Sequence, residues 1–422
     1  MKVNKWTLGL AAVGLVSLPA LGLAEEKSNP VMSALSSTTI SGYVSTSMQW
    51  KPGTGNARGP AYSYGNAVGG AANKADGFNL DVVKLTIEKP LDEDQWAAGY
   101  KVDLLFGQDA RGLGTGSLGA VAGGNNSDFN IKQAYVALRA PVGNGLDFKV
   151  GVFDTVIGYE SFDAGNNPNY TRSYGYTIEP TTHTGVLATY QFAEWIGMAA
   201  GVANTVGPQI NEKAWNYAAP FRKAESYKTY MGSIVLTAPE SFGFLKGSSL
   251  YGGVVNGFNR SGSVVAGVGY VQTSFYVGTT VNTPIAGLKV GASYDYLGIN
   301  NRQWPGAGAA NTSGYANASA AYISYQVTEK LSVHGRGEYF TVTPNGAIVS
   351  AGGAPTKVVA LTGTIQYDLW KNVLSRLEVR WDHQADGNGR AYGATAPAAG
   401  TPAQTGSRRN SVLIAGNIIY KF

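Results

Sequence analysis

Apolar and polar positions alternate along most of this chain in short segments of about ten residues. Stepping in twos back from the last residue gives Phe422, Tyr420, Ile418, Gly416, Ile414 and Val412. The intervening set, Lys421, Ile419, Asn417, Ala415, Leu413 and Ser411, is more polar but not wholly so. A period of two puts the sets on opposite faces of a strand. The clearest segment sets Trp96, Ala98, Tyr100, Val102, Leu104 and Phe106 on one face against Ala97, Gly99, Lys101 and Asp103 on the other. With these two at 96–106 and 410–422, the alternation predicts strands at 39–50, 79–89, 129–140, 146–153, 184–192, 196–205, 227–237, 249–258, 269–283, 287–299, 315–328, 330–343, 357–369 and 373–384, about sixteen in all.

The connections between these segments alternate too. Short ones, such as Ala193-Glu194-Trp195, Pro284-Ile285-Ala286, Thr328-Glu329-Lys330 and Trp370-Lys371-Asn372, follow long ones near 51–77, 107–128, 154–181, 206–226, 300–314, 344–356 and 385–409. The connection at 238–248 is intermediate and that at 259–268 is short for its class. Transmembrane barrels sort their connections this way, with short periplasmic turns and long extracellular loops, and they band their outward faces with aromatics at both interfaces. A soluble sandwich has no reason to do either. The expected fold is therefore all-β, a transmembrane antiparallel barrel occupying 39–422, with both ends of the barrel in the periplasm. Gly112-Leu113-Gly114-Thr115-Gly116 is not a full dinucleotide fingerprint and is read as part of a loop.

Composition agrees. Only 14% of residues are charged while 57 are Gly and 25 Tyr, and no segment beyond the N-terminus approaches a membrane helix. The N-terminus reads as a secretory leader: Lys2 and Lys5, an apolar core from Trp6 to Leu18, and Gly22-Leu23-Ala24, which places cleavage after Ala24. Residues 25–38 form a polar periplasmic lead-in. The formal charge of +5 falls to +3 without the leader, and no basic run points to nucleic acid. With no Cys, disulfides and thiolate metal sites are excluded.

A chain whose last strand ends on an outward aromatic, here Tyr420 and Phe422, resembles bacterial outer-membrane barrels. There that strand pairs with the first and is the insertion signal read by the barrel-assembly machinery. The segment 151–191 is more specific. It contains Gly-Val-Phe-Asp-Thr from Gly151, Gly158-Tyr159-Glu160, Asn169-Tyr170-Thr171-Arg172-Ser173 and Pro180-Thr181-Thr182-His183-Thr184-Gly185-Val186. It resembles the OmpL-like β-barrel porin family, with Val156 where that family often has Pro. The resemblance implies a water-filled pore for ions and small hydrophilic solutes, in contact with outer-membrane lipid and compatible with a homotrimer. It also implies that the third long loop narrows the barrel.

That loop carries Asp154, Glu160, Asp163 and Glu179 against Arg172, a net of three negative charges. Opposite the fifth strand stands the thirteenth, whose inward set includes His334, Arg336 and Glu338; near it the fifteenth turns Arg376, Glu378, Arg380 and Asp382 inward. Lys84, Lys101, Asp103 and Lys149 line the wall elsewhere. One expectation is a transverse field, with the arginines facing the acidic loop across water; the other is that the arginines pair with Glu338, Glu378 and Asp382 along the wall.

Catalysis finds little support. The three histidines, His183, His334 and His383, share no metal-ligand spacing, and no cofactor is implied. Ser375 and His383 have the outward parity of Trp381, but eight residues separate them, roughly 26 Å along a strand. A plugged transporter needs about 22 strands and a plug domain. A non-conducting structural or adhesive barrel is the remaining alternative to a pore.

Overall fold

The computed structural model describes residues 37–54, 74, 76–113, 115, 128–214, 227–258, 271–300, 313–343, 356–387, 390–393 and 407–422. The expected leader, most of the lead-in and the middle of every long connection except 154–181 lie outside these residues. Sixteen antiparallel strands close on themselves: β1 (Thr39–Trp50), β2 (Gly77–Lys89), β3 (Ala97–Phe106), β4 (Phe129–Ala140), β5 (Leu146–Asp154), β6 (Thr182–Ala193), β7 (Ile196–Ala203), β8 (Thr229–Thr237), β9 (Ser249–Phe258), β10 (Val271–Asn282), β11 (Leu288–Asn300), β12 (Gly314–Gln326), β13 (Leu331–Val342), β14 (Lys357–Trp370), β15 (Val373–Gln384) and β16 (Asn410–Lys421). Each strand pairs with its neighbours in sequence, and β1 pairs with β16.

The closure shows why the terminal residues matter. Tyr43 stands opposite Lys421 and Val44 opposite Tyr420. Gly42 and Phe422 exchange both backbone hydrogen bonds at 3.0 Å. A Cβ on Gly42 would lie 2.2 Å from the Lys84 carbonyl and 2.7 Å from the Phe422 ring, so only glycine admits the closing residue.

The outward sets are apolar, as alternation requires of a lipid-facing surface. Trp96, Trp195 and Trp370 stand exposed beside the short turns, and Trp50, Phe78 and Tyr315 at the opposite strand ends. These form the two aromatic girdles, with Leu104, Ile365 and Leu377 between them.

Two local differences from the sequence reading matter. The long connection after β3 opens with a short helix, α1 (Gln108–Leu113), where a plain loop was expected. Four register shifts break strict alternation; those at Asp368/Trp370 and Gln191/Ala193 sit beside short turns, and the other two reposition charges. In the β1–β2 ladder the register passes from Val82 to Leu80 and leaves Asp81 as the extra residue. In the β3–β4 ladder it passes from Gln133 to Ile131 and leaves Lys132. An extra residue in one strand re-aims its side chain, and both charges end buried inside the barrel. The intermediate 238–248 link holds a 3₁₀ segment at Glu240–Leu245, with Phe242 and Phe244 exposed.

Candidate functional site

The connection between β5 and β6, here L3 (155–181), is buried along most of its length because it enters the barrel. Asp154, expected at its start, instead ends β5 and pairs with Lys132. L3 first follows the wall: Val156 and Ile157 pack with Leu187, Met231, Val235 and Val255 from β6, β8 and β9. The Tyr251 hydroxyl donates to the Val156 carbonyl. Tyr159 then stacks on Tyr322 of β12, ring centroids 4.1 Å apart, and its hydroxyl lies 3.1 Å from Thr280 Oγ1.

From Glu160 onward the loop crosses to the far wall. A tip at Phe162–Ala164 packs with Tyr43, Leu105 and Ile419. Asp163 accepts from Tyr43 (3.0 Å) and from Lys84 (2.8 Å). Burial alone would raise the Asp163 carboxyl, but the cations Lys84 and Lys132 and those two hydrogen bonds hold it well below the usual carboxylate range. The Tyr170 hydroxyl lies 2.9 Å from both Asp81 Oδ1 and Ser47 Oγ and accepts from Gln49 Nε2 at 2.8 Å. A short helix, α2 (Tyr174–Ile178), returns the chain, its first turn capped by Ser173 Oγ accepting from the Tyr176 N–H at 3.1 Å. Tyr174 and Ile178 pack on Leu297, Ala316, Ala318, Val342, Val358 and Ala360. Apolar residues at inward positions of β12, β14 and β16 are thus seats for the loop.

The arginine and carboxylate ladder of β13 and β15 does both things the sequence allowed, and does them out of water. Arg336 bonds Glu160 of the loop and Glu338 of its own strand, each at 2.8 Å. Arg380 pairs with Asp382 (3.0 Å) and Glu338 (3.4 Å) and lies over the Tyr174 ring. The expectation that these arginines face the loop across an aqueous gap is corrected: the side chains of Arg336 and Arg380 are 0% exposed.

Their unspent hydrogen-bonding capacity goes to the loop backbone. Arg336 donates to Thr171 O (2.8 Å), Arg380 to Arg172 O (2.8 Å), and Arg376 to Ala164 O (2.8 Å) and Asn167 O (2.7 Å). The carboxylates take the amides: Glu378 accepts from Tyr170 N (2.6 Å) and Thr171 N (2.9 Å), and Glu338 from Tyr174 N (2.6 Å). Asp382 accepts from the Tyr174 hydroxyl at 2.8 Å. An irregular segment in a barrel has backbone groups that no ladder satisfies, and leaving them unpaired is costly. These charges answer that need. Arg172 bonds within L3, to Tyr170 O (3.0 Å) and Phe162 O.

Other expected residues fall as follows. Asp103 is buried and accepts from Thr86 (2.6 Å) and Gln133 (2.9 Å). Lys101 pairs with Glu88 at 2.8 Å, and Lys149 lies over the Tyr135 ring. His334 sits between Ser332 and Ser324 hydroxyls at 3.0 and 2.9 Å. Glu179 reaches the wall beside Asp295; burial, then the neighbouring Asp295 charge, pushes its carboxyl well up. His183 is buried against Thr155 Oγ1 (3.1 Å). The Ser375 hydroxyl donates to Tyr367 O (2.8 Å) while His383 bonds Asn410 (2.8 Å), so they form no dyad. Asp81 and Lys132 were missed because the bulges reverse their parity; a charge at a lipid-facing position was the available signal.

Solved structures share the fold. An anion-selective porin from Comamonas acidovorans superposes with TM-score 0.57 at 13% identity, covering 92% of this chain and 99% of that one. The outer membrane channel DcaP of Acinetobacter baumannii gives 0.57 at 13%, covering 91% and 97%. OmpT of Vibrio cholerae in a trimer form gives 0.53 at 12%, covering 91% and 99%. A comparison with curated proteins finds no match. Residues 37–422 match the family described as "Putative beta-barrel porin-2, OmpL-like", and the chain belongs to that family of outer-membrane porins.

Proposed function

We propose that solutes pass this outer-membrane porin beside L3, and that the loop, not the sixteen-strand wall, sets the size of the passage. The family makes the chain a passive-diffusion channel and not an enzyme. Sixteen strands enclose a lumen wide enough for water, and the observation that carries the reading is L3 docked across it on β1, β2, β13, β14 and β15. On this reading Glu160, Arg172, Glu338, Glu378 and Asp382 position the loop, together with Arg336, Arg376 and Arg380. Lys84, buried between Asp103 and Asp163, holds the loop tip, and Asp163, Lys101, Lys149 and His334 stand closer to the solute. Ions and small hydrophilic solutes fit such a polar lining.

The leader 1–24 is proposed to route the chain to the periplasm, and Tyr420 and Phe422 to present it to the barrel-assembly machinery; lipid covers the outward set, and the working form is a homotrimer. Reconstitution in planar bilayers tests the channel. Stepwise conductance increments are expected, with liposome swelling that falls off as sugars approach the size of a disaccharide. A folded protein that inserts without conducting would establish the alternative, a structural or adhesive barrel.

A further inference from the structure

Below L3 a cavity of about 400 Å³ lies between the loop and β9–β14, at the small end of the roughly 300–1,000 Å³ of small-molecule sites. Ser249, Lys289 and Ser324 place it toward the strand ends that carry the short turns. Its lining differs from the rest of the interior in charge. Elsewhere in the barrel Lys84, Lys101 and Lys132 each sit on a carboxylate, and Lys149 lies over the Tyr135 ring. Among the described residues no Asp or Glu lines this cavity, and Lys289 has no carboxylate partner. A lone ammonium with no acid nearby favours an anion and disfavours a cation.

The remaining lining selects among anions. Tyr159, Tyr251, Tyr276 and Tyr322 give it aromatic walls. Polar groups stand between them. The Gln366 carbonyl already accepts from Arg376 at 3.1 Å, which leaves its amide nitrogen to donate. The Tyr159 and Thr280 hydroxyls, 3.1 Å apart, each keep acceptor capacity, and Ser324 lies beside His334 at 2.9 Å. The electron-rich ring faces suit the polarised C–H face of a saccharide ring, and the hydroxyl and amide groups suit its equatorial oxygens.

Resting on the channel reading, we propose that this cavity is a binding site for small hydroxylated carboxylates of the sugar-acid class, the ring-forming uronates. The carboxylate sits on Lys289, the ring lies against Tyr159, and the hydroxyls meet Thr280, Ser324 and Gln366. A solute held there concentrates at the inner mouth of the pore.

The test is equilibrium dialysis of labelled glucuronate against the detergent-folded full chain, which reads binding whether or not the protein conducts. Current block by glucuronate in bilayers is measured alongside. Saturable binding is expected, weakened about tenfold or more in Lys289→Gln through loss of the charge-assisted contact. Lys289→Arg retains it, and Lys330→Gln, an exposed turn lysine outside the cavity, leaves it unchanged. Glucose binding as tightly as glucuronate would overturn the carboxylate contact, and benzoate binding as tightly would overturn the hydroxyl contacts. No saturable binding in a protein that still shows conductance steps would overturn the site and leave the pore standing; binding without conductance would do the reverse.

Discussion

Arg336→Met removes one cation from the centre of the loop anchor and keeps most of the side-chain volume. The guanidinium holds Glu160 Oε1 and Thr171 O at 2.8 Å, Thr171 Oγ1 at 3.1 Å and Arg172 O at 3.3 Å on L3, and Glu338 at 2.8 Å on the wall. Without it, Glu160 loses its salt bridge and keeps only neutral donors, the Ser173 N–H and the Tyr322 hydroxyl, while Glu338 keeps the Tyr174 N–H at 2.6 Å and, as its cation, Arg380 at 3.4 Å. Breaking a buried ion pair by removing one partner costs about 3–5 kcal/mol, mostly from the stranded charge. The strands keep their ladder bonds, so the cost falls on the docked loop. At about 1.4 kcal/mol per factor of ten, the open population of L3 rises roughly 100-fold to several-thousand-fold. Hydrogen–deuterium exchange in detergent measures this directly. Peptides within 158–178 should exchange faster by that factor, while peptides from β13 and β14 keep their protection. The triple variant Arg336→Met, Glu160→Gln, Glu338→Gln removes the stranded charges too and should recover most of the protection. Wild-type exchange of L3 in Arg336→Met would refute the anchoring role. A triple variant as labile as the single one would show that lost geometry, not stranded charge, sets the cost.

Other expectations follow from the same interior and surface. Leu104 faces outward two residues short of the girdle residue Phe106, so Leu104→Arg should cost up to roughly 2–4 kcal/mol in folding titrations into bilayers, and Lys101→Gln, inside the barrel, much less. Deleting Phe422 removes both hydrogen bonds to Gly42 and should lower the yield of heat-modifiable barrel in the outer membrane without changing conductance per pore. The raised Glu179 carboxyl, pushed up by burial and then by Asp295, favours the docked loop most below the ordinary Glu range near pH ~4.3. That contribution is lost as pH rises toward the shifted value, so the protection of L3 amides, with the base-catalysed intrinsic exchange rate at each pH divided out, should fall as pH is raised, and Glu179→Gln should flatten that fall.

Much of the barrel was legible because lipid imposes a rule on every second residue. Trp96 to Phe106 shows the rule in one strand, and the closing pair of Gly42 and Phe422 shows it at the seam. The same rule hid the anchor. Strict alternation gives Asp81 the parity of lipid-facing Val83, and Lys132 that of Val136; only a bulge, set by pairing with a neighbouring strand, turns each inward. Apolar Leu413, Ala415 and Ile419 on the inward face of β16 made that face look ambiguous in sequence; they contact Tyr170 and Phe162 of L3. The charges of the third loop and of β13 and β15 meet in one network. That they meet out of water was not legible, because charge counts carry no information about burial. Whether Arg336 meets water or the carbonyl of Thr171 depends on a path that the loop takes through space.

If L3 narrows a conducting pore, removing it must widen the passage. Single-channel recording of the wild-type chain beside a variant in which 158–178 is replaced by a short Gly-Ser link tests that most directly. Discrete steps are expected in both, severalfold larger in the shortened protein, with the tyrosine-lined cavity and its glucuronate block abolished. Equal step sizes from two folded barrels, or no steps from the wild type, would contradict it.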